Sequence, residues 1–120
     1  MKVLIAEDNL VNQKLAHLLF KKLGLEADIV PNGSEAVTQV METGYDVVFM
    51  DVYMPEMDGT EATRILKEEL GDSCPFIVAL TAASMEGEKE KFLAAGMDDY
   101  LAKPLSRKQL ESFFDKFCSG

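Results

Sequence analysis

The side chains from which chemistry can be built sit directly after apolar runs of the sequence. Glu7, Asp8 and Asn9 follow the run 2–6, Asp51 follows 46–50, Thr81 follows 76–80, and Lys103 follows 100–102. Short apolar runs rich in β-branched and aromatic residues read as strands buried on both faces, whose carboxyl ends open into a crevice. If those ends lie side by side, the three carboxylates of Glu7, Asp8 and Asp51 meet the Thr81 hydroxyl and the Lys103 ammonium. Carboxylates within several ångströms of one another repel, and burial penalises the charged form further, so protons or a divalent cation must accompany them. A hard cation that keeps some of its waters and is held by one or two carboxylates fits Mg²⁺. Such an ion can hold an incoming phosphoryl group in line and neutralise its equatorial oxygens, with Lys103 adding a second positive charge and Thr81 a hydrogen bond. Asp51 then acts as a nucleophile and forms an aspartyl phosphate.

The elements that must position these groups follow from two alternating periodicities. Strands are predicted at 2–6, 27–30, 46–50, 76–80 and 100–102. Between them, 10–22 places Val11, Leu15, Leu18 and Leu19 at helical spacing before Gly24, a suitable stop. The segment 34–44 buries Ala36, Val37, Val40 and Met41 as a helix. Asp58 with Glu61 is a capping-box pattern for a helix with Ala62, Ile65 and Leu66 inside, and Ser106 with Gln109 is another for a helix carrying Leu110, Phe113, Phe114 and Phe117. The segment 84–96 is the weakest helix, with Gly87 inside it and charges clustered from 86 to 91, and is expected to be mobile. Strands alternating with amphipathic helices through short turns make a parallel sheet covered on both sides. Ligands in such sheets bind beyond the carboxyl ends of the strands, where the strand order reverses.

Composition narrows the function further. The 120 residues are expected to form one domain, long enough to bury a core without disulfides or a structural metal. Twelve Lys and Arg against 21 Asp and Glu give a net charge of -9, which repels phosphate backbones and argues against direct binding to nucleic acid or an anionic membrane. Cys74 and Cys118 are far apart with no metal-binding spacing, and read as two reduced thiols. His17 is the sole histidine and reads as a surface residue of the first helix. No secretory pattern opens the chain and no apolar run approaches a membrane span, so the expected compartment is the cytoplasm.

The pattern of EDN at 7–9, MDVYMPEMDG at 50–59, ALTA at 79–82 and AGMDDYLAKP at 95–104 resembles the receiver domains of two-component response regulators, over essentially the whole chain. The resemblance implies a doubly wound α/β fold, a five-stranded parallel sheet of order 2-1-3-4-5 flanked by five helices. That order is the one for which CheY, of this same family, serves as a standing example. It also implies that Asp51 is the phosphoacceptor, that Glu7 and Asp8 form the acidic pocket for Mg²⁺, and that the Tyr53 carbonyl completes the metal site. Thr81 and Lys103 would bind phosphoryl oxygens, the Lys103-Pro104 bond would be cis, and Tyr100 would match an aromatic that turns inward on activation. The implied partner is a histidine kinase or a histidine phosphotransfer domain, with a possible output domain or downstream protein. The wording EDNLVNQKLA is closest to receivers of hybrid sensor kinases and phosphorelays, so the chain reads as a stand-alone regulator or a domain of a longer kinase.

Three other readings share the architecture. A haloacid-dehalogenase-type phosphatase needs an acidic residue two positions after its nucleophile, where Tyr53 stands. A flavodoxin-like FMN binder needs a hydroxyl- or glycine-rich loop after the first strand, where EDN would repel the phosphate. A pseudo-receiver that is never phosphorylated usually lacks the acidic pocket, the Asp or the Lys, all present here. The expected activity is that of a switch that catalyses its own phosphorylation and dephosphorylation rather than a conventional turnover enzyme.

Overall fold

The computed structural model describes residues 1–52, 54, 56–81 and 88–119. The strands are β1 (Val3–Ala6), β2 (Ala27–Val30), β3 (Val47–Asp51), β4 (Phe76–Thr81) and β5 (Asp99–Ala102). The helices are α1 (Leu10–Lys22), α2 (Gly33–Glu42), α3 (Gly59–Leu70), α4 (Glu88–Ala94) and α5 (Arg107–Ser119). All strand pairings are parallel and the order is β2-β1-β3-β4-β5. The expected architecture is thus the observed one. The start of the helix predicted at 84–96 lies outside the described residues.

Because successive side chains of a strand point to opposite faces, each apolar run serves two cores. Leu4, Val48, Met50 and Ile77 pack with Ala36, Val40, Ala62 and Leu66 of α2 and α3. Val3, Ile5, Val47, Phe49 and Val78 pack with Ala16 and Phe20 of α1 and Leu110 and Phe113 of α5. This second core is aromatic: Phe49 meets Phe20, Phe113 and Phe114 edge-on with ring centroids 5.3 to 5.9 Å apart, the geometry that aromatic quadrupoles favour.

The helix caps follow their sequence signals. Asp58 Oδ1 accepts from the Glu61 N–H at 2.9 Å, and this bond, ahead of the opposing effect of burial, lowers the Asp58 pKa. Ser106 and Gln109 cap reciprocally, with Gln109 Oε1 accepting from the Ser106 N–H and Ser106 Oγ from the Gln109 N–H. Two expected inner faces need correction. In α1 the buried residues are Ala16 and Phe20, and Leu19 packs against the same core as expected, while Val11, Leu15 and Leu18 are exposed; the aromatic floor of β3 selects Phe20, which turns those three outward. In α2, Met41 is exposed, whereas Ala36 and Val40 are buried.

The loop after β3 is held by close backbone approaches. The Gly59 N–H donates to the Val52 carbonyl at 2.9 Å, and a side chain at Gly59 would collide with the Asp51 carbonyl oxygen. Gly33, at the start of α2, donates to the Met57 carbonyl at 3.2 Å and stands against that same oxygen. Opposite the crevice, β5 is tied to β4: the Asp98 N–H donates to the Ile77 carbonyl, and its carboxylate accepts from the Ile77 N–H, both at 2.8 Å. Gly59→Ala is expected to lower stability by about 2 kcal/mol through overpacking. Gly44, where an added methyl group would meet nothing within 4 Å, supplies the control: urea unfolding should show Gly44→Ala close to wild type.

Candidate functional site

Register brings the predicted residues together. Ala6 pairs with Met50, so the next residues, Glu7 and Asp51, are neighbours; Asp51 pairs with Leu80; Thr81 pairs with Ala102, which precedes Lys103. Glu7, Asp51 and Lys103 each extend the alternating set that faces α1 and α5, continuing Ile5, Phe49 and Leu101. The floor of the crevice is therefore the polar continuation of the aromatic core.

Lys103 Nζ lies 2.8 Å from Asp51 Oδ2 and 2.9 Å from Glu7 Oε1. Both acidic side chains are nearly inaccessible, at 7 % and 4 % exposure, and the lysine side chain is 19 % exposed. Burial of the ammonium opposes its charge, but the hydrogen bonds to Asp51 and Glu7 outweigh it and raise the Lys103 pKa above its ordinary value. Its contribution to stability is therefore complete below the lysine value of the unfolded chain and is lost as pH rises through the folded value. Glu7 is fixed on every side: its N–H donates to the Val30 carbonyl at 2.9 Å, and its Oε2 accepts from the Asn9 N–H at 3.1 Å. Asn9 also caps α1, its side chain accepting from the Asn12 N–H at 3.1 Å.

Asp8 stands at the open mouth, exposed to solvent. One carboxylate oxygen from each of Glu7, Asp8 and Asp51 lies within 4.8 Å of the others, so three negative charges share a space with the ammonium of Lys103. An all-oxygen donor set with a solvent-facing member suits a hard divalent cation that retains waters. Thr81 is buried, and its carbonyl accepts from the Lys103 N–H at 2.6 Å, joining the ends of β4 and β5. The Lys103-Pro104 peptide is cis, as expected. Tyr53, Ala82 and Ala83 lie outside the described residues, so the expected Tyr53 carbonyl ligand has no observed geometry.

The sequence reading missed two glutamines that grip backbone carbonyls beside this cluster. Gln13 Nε2 donates to the Glu7 carbonyl at 2.6 Å, and Gln109 Nε2 to the Ala102 carbonyl at 3.0 Å. For Gln109 a signal existed, since its capping role places its amide one turn from the lysine loop.

Comparison with known proteins agrees with this geometry. Residues 3–115 match the family model described as the response regulator receiver domain. The chain belongs to that family. As a receiver it is 46 % identical to part of the sensor protein GacS of Pseudomonas syringae pv. syringae, covering 91 % of this chain and 12 % of that protein. It is 33 % identical to part of the histidine kinase BarA of Escherichia coli K12, covering all of this chain and 13 % of BarA. Among solved structures, it superposes with a TM-score of 0.88 on the receiver domain of the sensor histidine kinase PA1611 of Pseudomonas aeruginosa, at 35 % identity and over 99 % and 98 % of the two chains. That structure has magnesium coordinated in its active-site cleft. The receiver of Ssk1 from Saccharomyces cerevisiae, solved with the phosphotransfer protein Ypd1, matches with a TM-score of 0.86 and 32 % identity over 92 % of this chain and 83 % of that one. The receiver thus serves two-component signalling, while spanning a small fraction of the curated relatives it matches. No described helix is long and apolar enough to cross a membrane.

Crowding of like charge at the mouth has a measurable cost. Without divalent cations, Asp8→Asn should raise the thermal midpoint, the gain being on the order of 1 kcal/mol given the solvent screening of an exposed group. Added MgCl₂ should stabilise the wild type more than this variant. A midpoint that falls in EDTA would show that Asp8 is stabilising as it stands.

Proposed function

We propose that Asp51 accepts a phosphoryl group from a phosphohistidine, carried by a histidine kinase or a histidine phosphotransfer domain, and that the receiver itself catalyses this transfer and the later hydrolysis. The observation that carries the proposal is the bridge of Lys103 between Glu7 and Asp51 beside the exposed Asp8. It holds one oxygen of Asp51 in a fixed direction at the crevice floor, and in-line attack on phosphorus depends on such fixed positioning of the nucleophile. The Asp51 oxygen forms the new bond to phosphorus as the bond from phosphorus to the donor imidazole nitrogen breaks.

Mg²⁺, held by Glu7, Asp8, Asp51 and the Tyr53 carbonyl, would neutralise charge on the phosphoryl oxygens. Glu7, already bonded to Lys103 and Asn9, would act on the ion through water. Lys103 would transfer part of its bonding from Asp51 to a phosphoryl oxygen, and Thr81 would donate its hydroxyl to another. With Thr81 so engaged, Tyr100, half-buried at the next strand, would turn inward and alter the surface of α4, β5 and α5 that an output domain or downstream protein reads.

The approach to Asp51 passes α1. Leu10 and Val11 are 72 % and 73 % exposed, which supports them, with Lys14 and Leu105, as contacts for the phosphohistidine donor. We read residues 1–120 as one receiver domain of a hybrid kinase or phosphorelay protein working in the cytoplasm, in keeping with two free thiols.

Acetyl phosphate and MgCl₂ should label the wild type, and labelling should vanish in Asp51→Asn and in EDTA. Persistence in either case would refute the assignment. Lys14→Glu should slow transfer from a phosphotransfer domain by about ten-fold at low salt and leave acetyl phosphate labelling unaltered, because a rim charge acts on encounter.

A further inference from the structure

Gln13 has no part in the chemistry above, yet it reaches back from the first turn of α1 to the end of β1. Its Nε2 donates to the Glu7 carbonyl at 2.6 Å. That carbonyl opens the planar peptide unit joining Glu7 to Asp8, so its direction sets the tilt of the whole unit and with it the place of the Asp8 Cα from which the side chain departs. The rest of Glu7 is held by other partners: its N–H by Val30, one carboxylate oxygen by Asn9 and the other by Lys103. Asp8 is exposed, between the end of β1 and the cap of α1. The grip of Gln13 is thus a side-chain contact on the peptide that presents Asp8, and it couples that peptide to a helix seated on the aromatic core through Ala16 and Phe20, three and seven residues on along the same face.

We propose that Gln13 is a positioning residue for the acidic pocket: by holding the Glu7 carbonyl it aims the Asp8 carboxylate at the cation shared with Asp51. This rests on the reading of Glu7, Asp8 and Asp51 as the magnesium site. Groups that orient metal ligands through hydrogen bonds are typically worth ten-fold or more in metal affinity.

The test is a titration with MgCl₂ alone, followed by amide chemical shifts of the full chain, for wild type, Gln13→Met and Gln13→Glu. Gln13→Met keeps the length of the side chain and removes the donor; it should weaken magnesium binding about ten-fold. Gln13→Glu also removes the donor but adds a negative charge near the pocket, which by attraction alone would tighten binding; positioning requires that it bind more weakly than wild type. With acetyl phosphate at saturating magnesium, Gln13→Met should regain the wild-type labelling rate. The proposal is overturned by unchanged affinity in Gln13→Met, by tighter binding in Gln13→Glu, or by a labelling deficit that survives saturation. It is equally overturned if the metal-free spectra of the variants differ from wild type across the sheet, since Gln13 would then support the fold at large. Were Asp51 itself not the phosphoacceptor, wild-type labelling would fail or survive Asp51→Asn, while the magnesium titration would still decide the role of Gln13.

Discussion

Everything at the crevice depends on one constraint: Glu7, Asp8 and Asp51 hold three carboxylates close together, and Lys103 places an ammonium among them. The sheet brings them there. Strand register makes Glu7 and Asp51 neighbours, and burial prevents water from screening them. The ammonium relieves part of the repulsion and leaves a net negative pocket, a state whose free energy falls when a cation enters. A site built this way stores its affinity in the fold: in the empty protein the repulsion opposes folding, and a bound cation removes that opposition.

The surroundings are arranged to keep that unfavourable cluster in place. The apolar strands fix the crevice floor from below, with Phe49 in β3 seated among the rings of α1 and α5. Backbone contacts fix it from the sides, through Gly59 against the end of β3 and Lys103 against Thr81. Side-chain amides from Gln13 and Gln109 hold the peptide groups that precede Asp8 and Lys103. Groups that repel one another are thus attached to elements whose own stability comes from elsewhere.

Much of this was legible in the sequence, for identifiable reasons. Buried parallel strands are continuous apolar runs, and residues that break such a run with a charge or a hydroxyl mark its carboxyl end, which located Glu7, Asp51, Thr81 and Lys103. Caps at Asp58 and Ser106 have fixed spacing and were equally visible. The inner face of α1 was misread in part because Val11, Leu15 and Leu18 outweigh Ala16 in hydrophobicity, whereas the packing space beside Phe49 is filled by Phe20 with a small residue one turn before it. The bonds from Gln13 to Glu7 and from Asp98 to Ile77 carry no periodic signal, since one glutamine or aspartate on a surface pattern resembles any other until the backbone is in place.

The two ties on β5 have a consequence for how the molecule can carry a message. At one end Asp98 grips Ile77 through both its N–H and its carboxylate, and at the other Lys103 is joined to Thr81. A strand anchored at both termini cannot shift along its neighbour, because either anchor would have to break first. What the anchors do not fix is torsion about side-chain bonds. If Tyr100, between the anchors, responds to an event at the crevice as proposed, it would do so by changing rotamer, a discrete step with a few allowed positions rather than a graded displacement. The backbone of this edge would then act as a fixed spindle, and a signal carried by it would be digital.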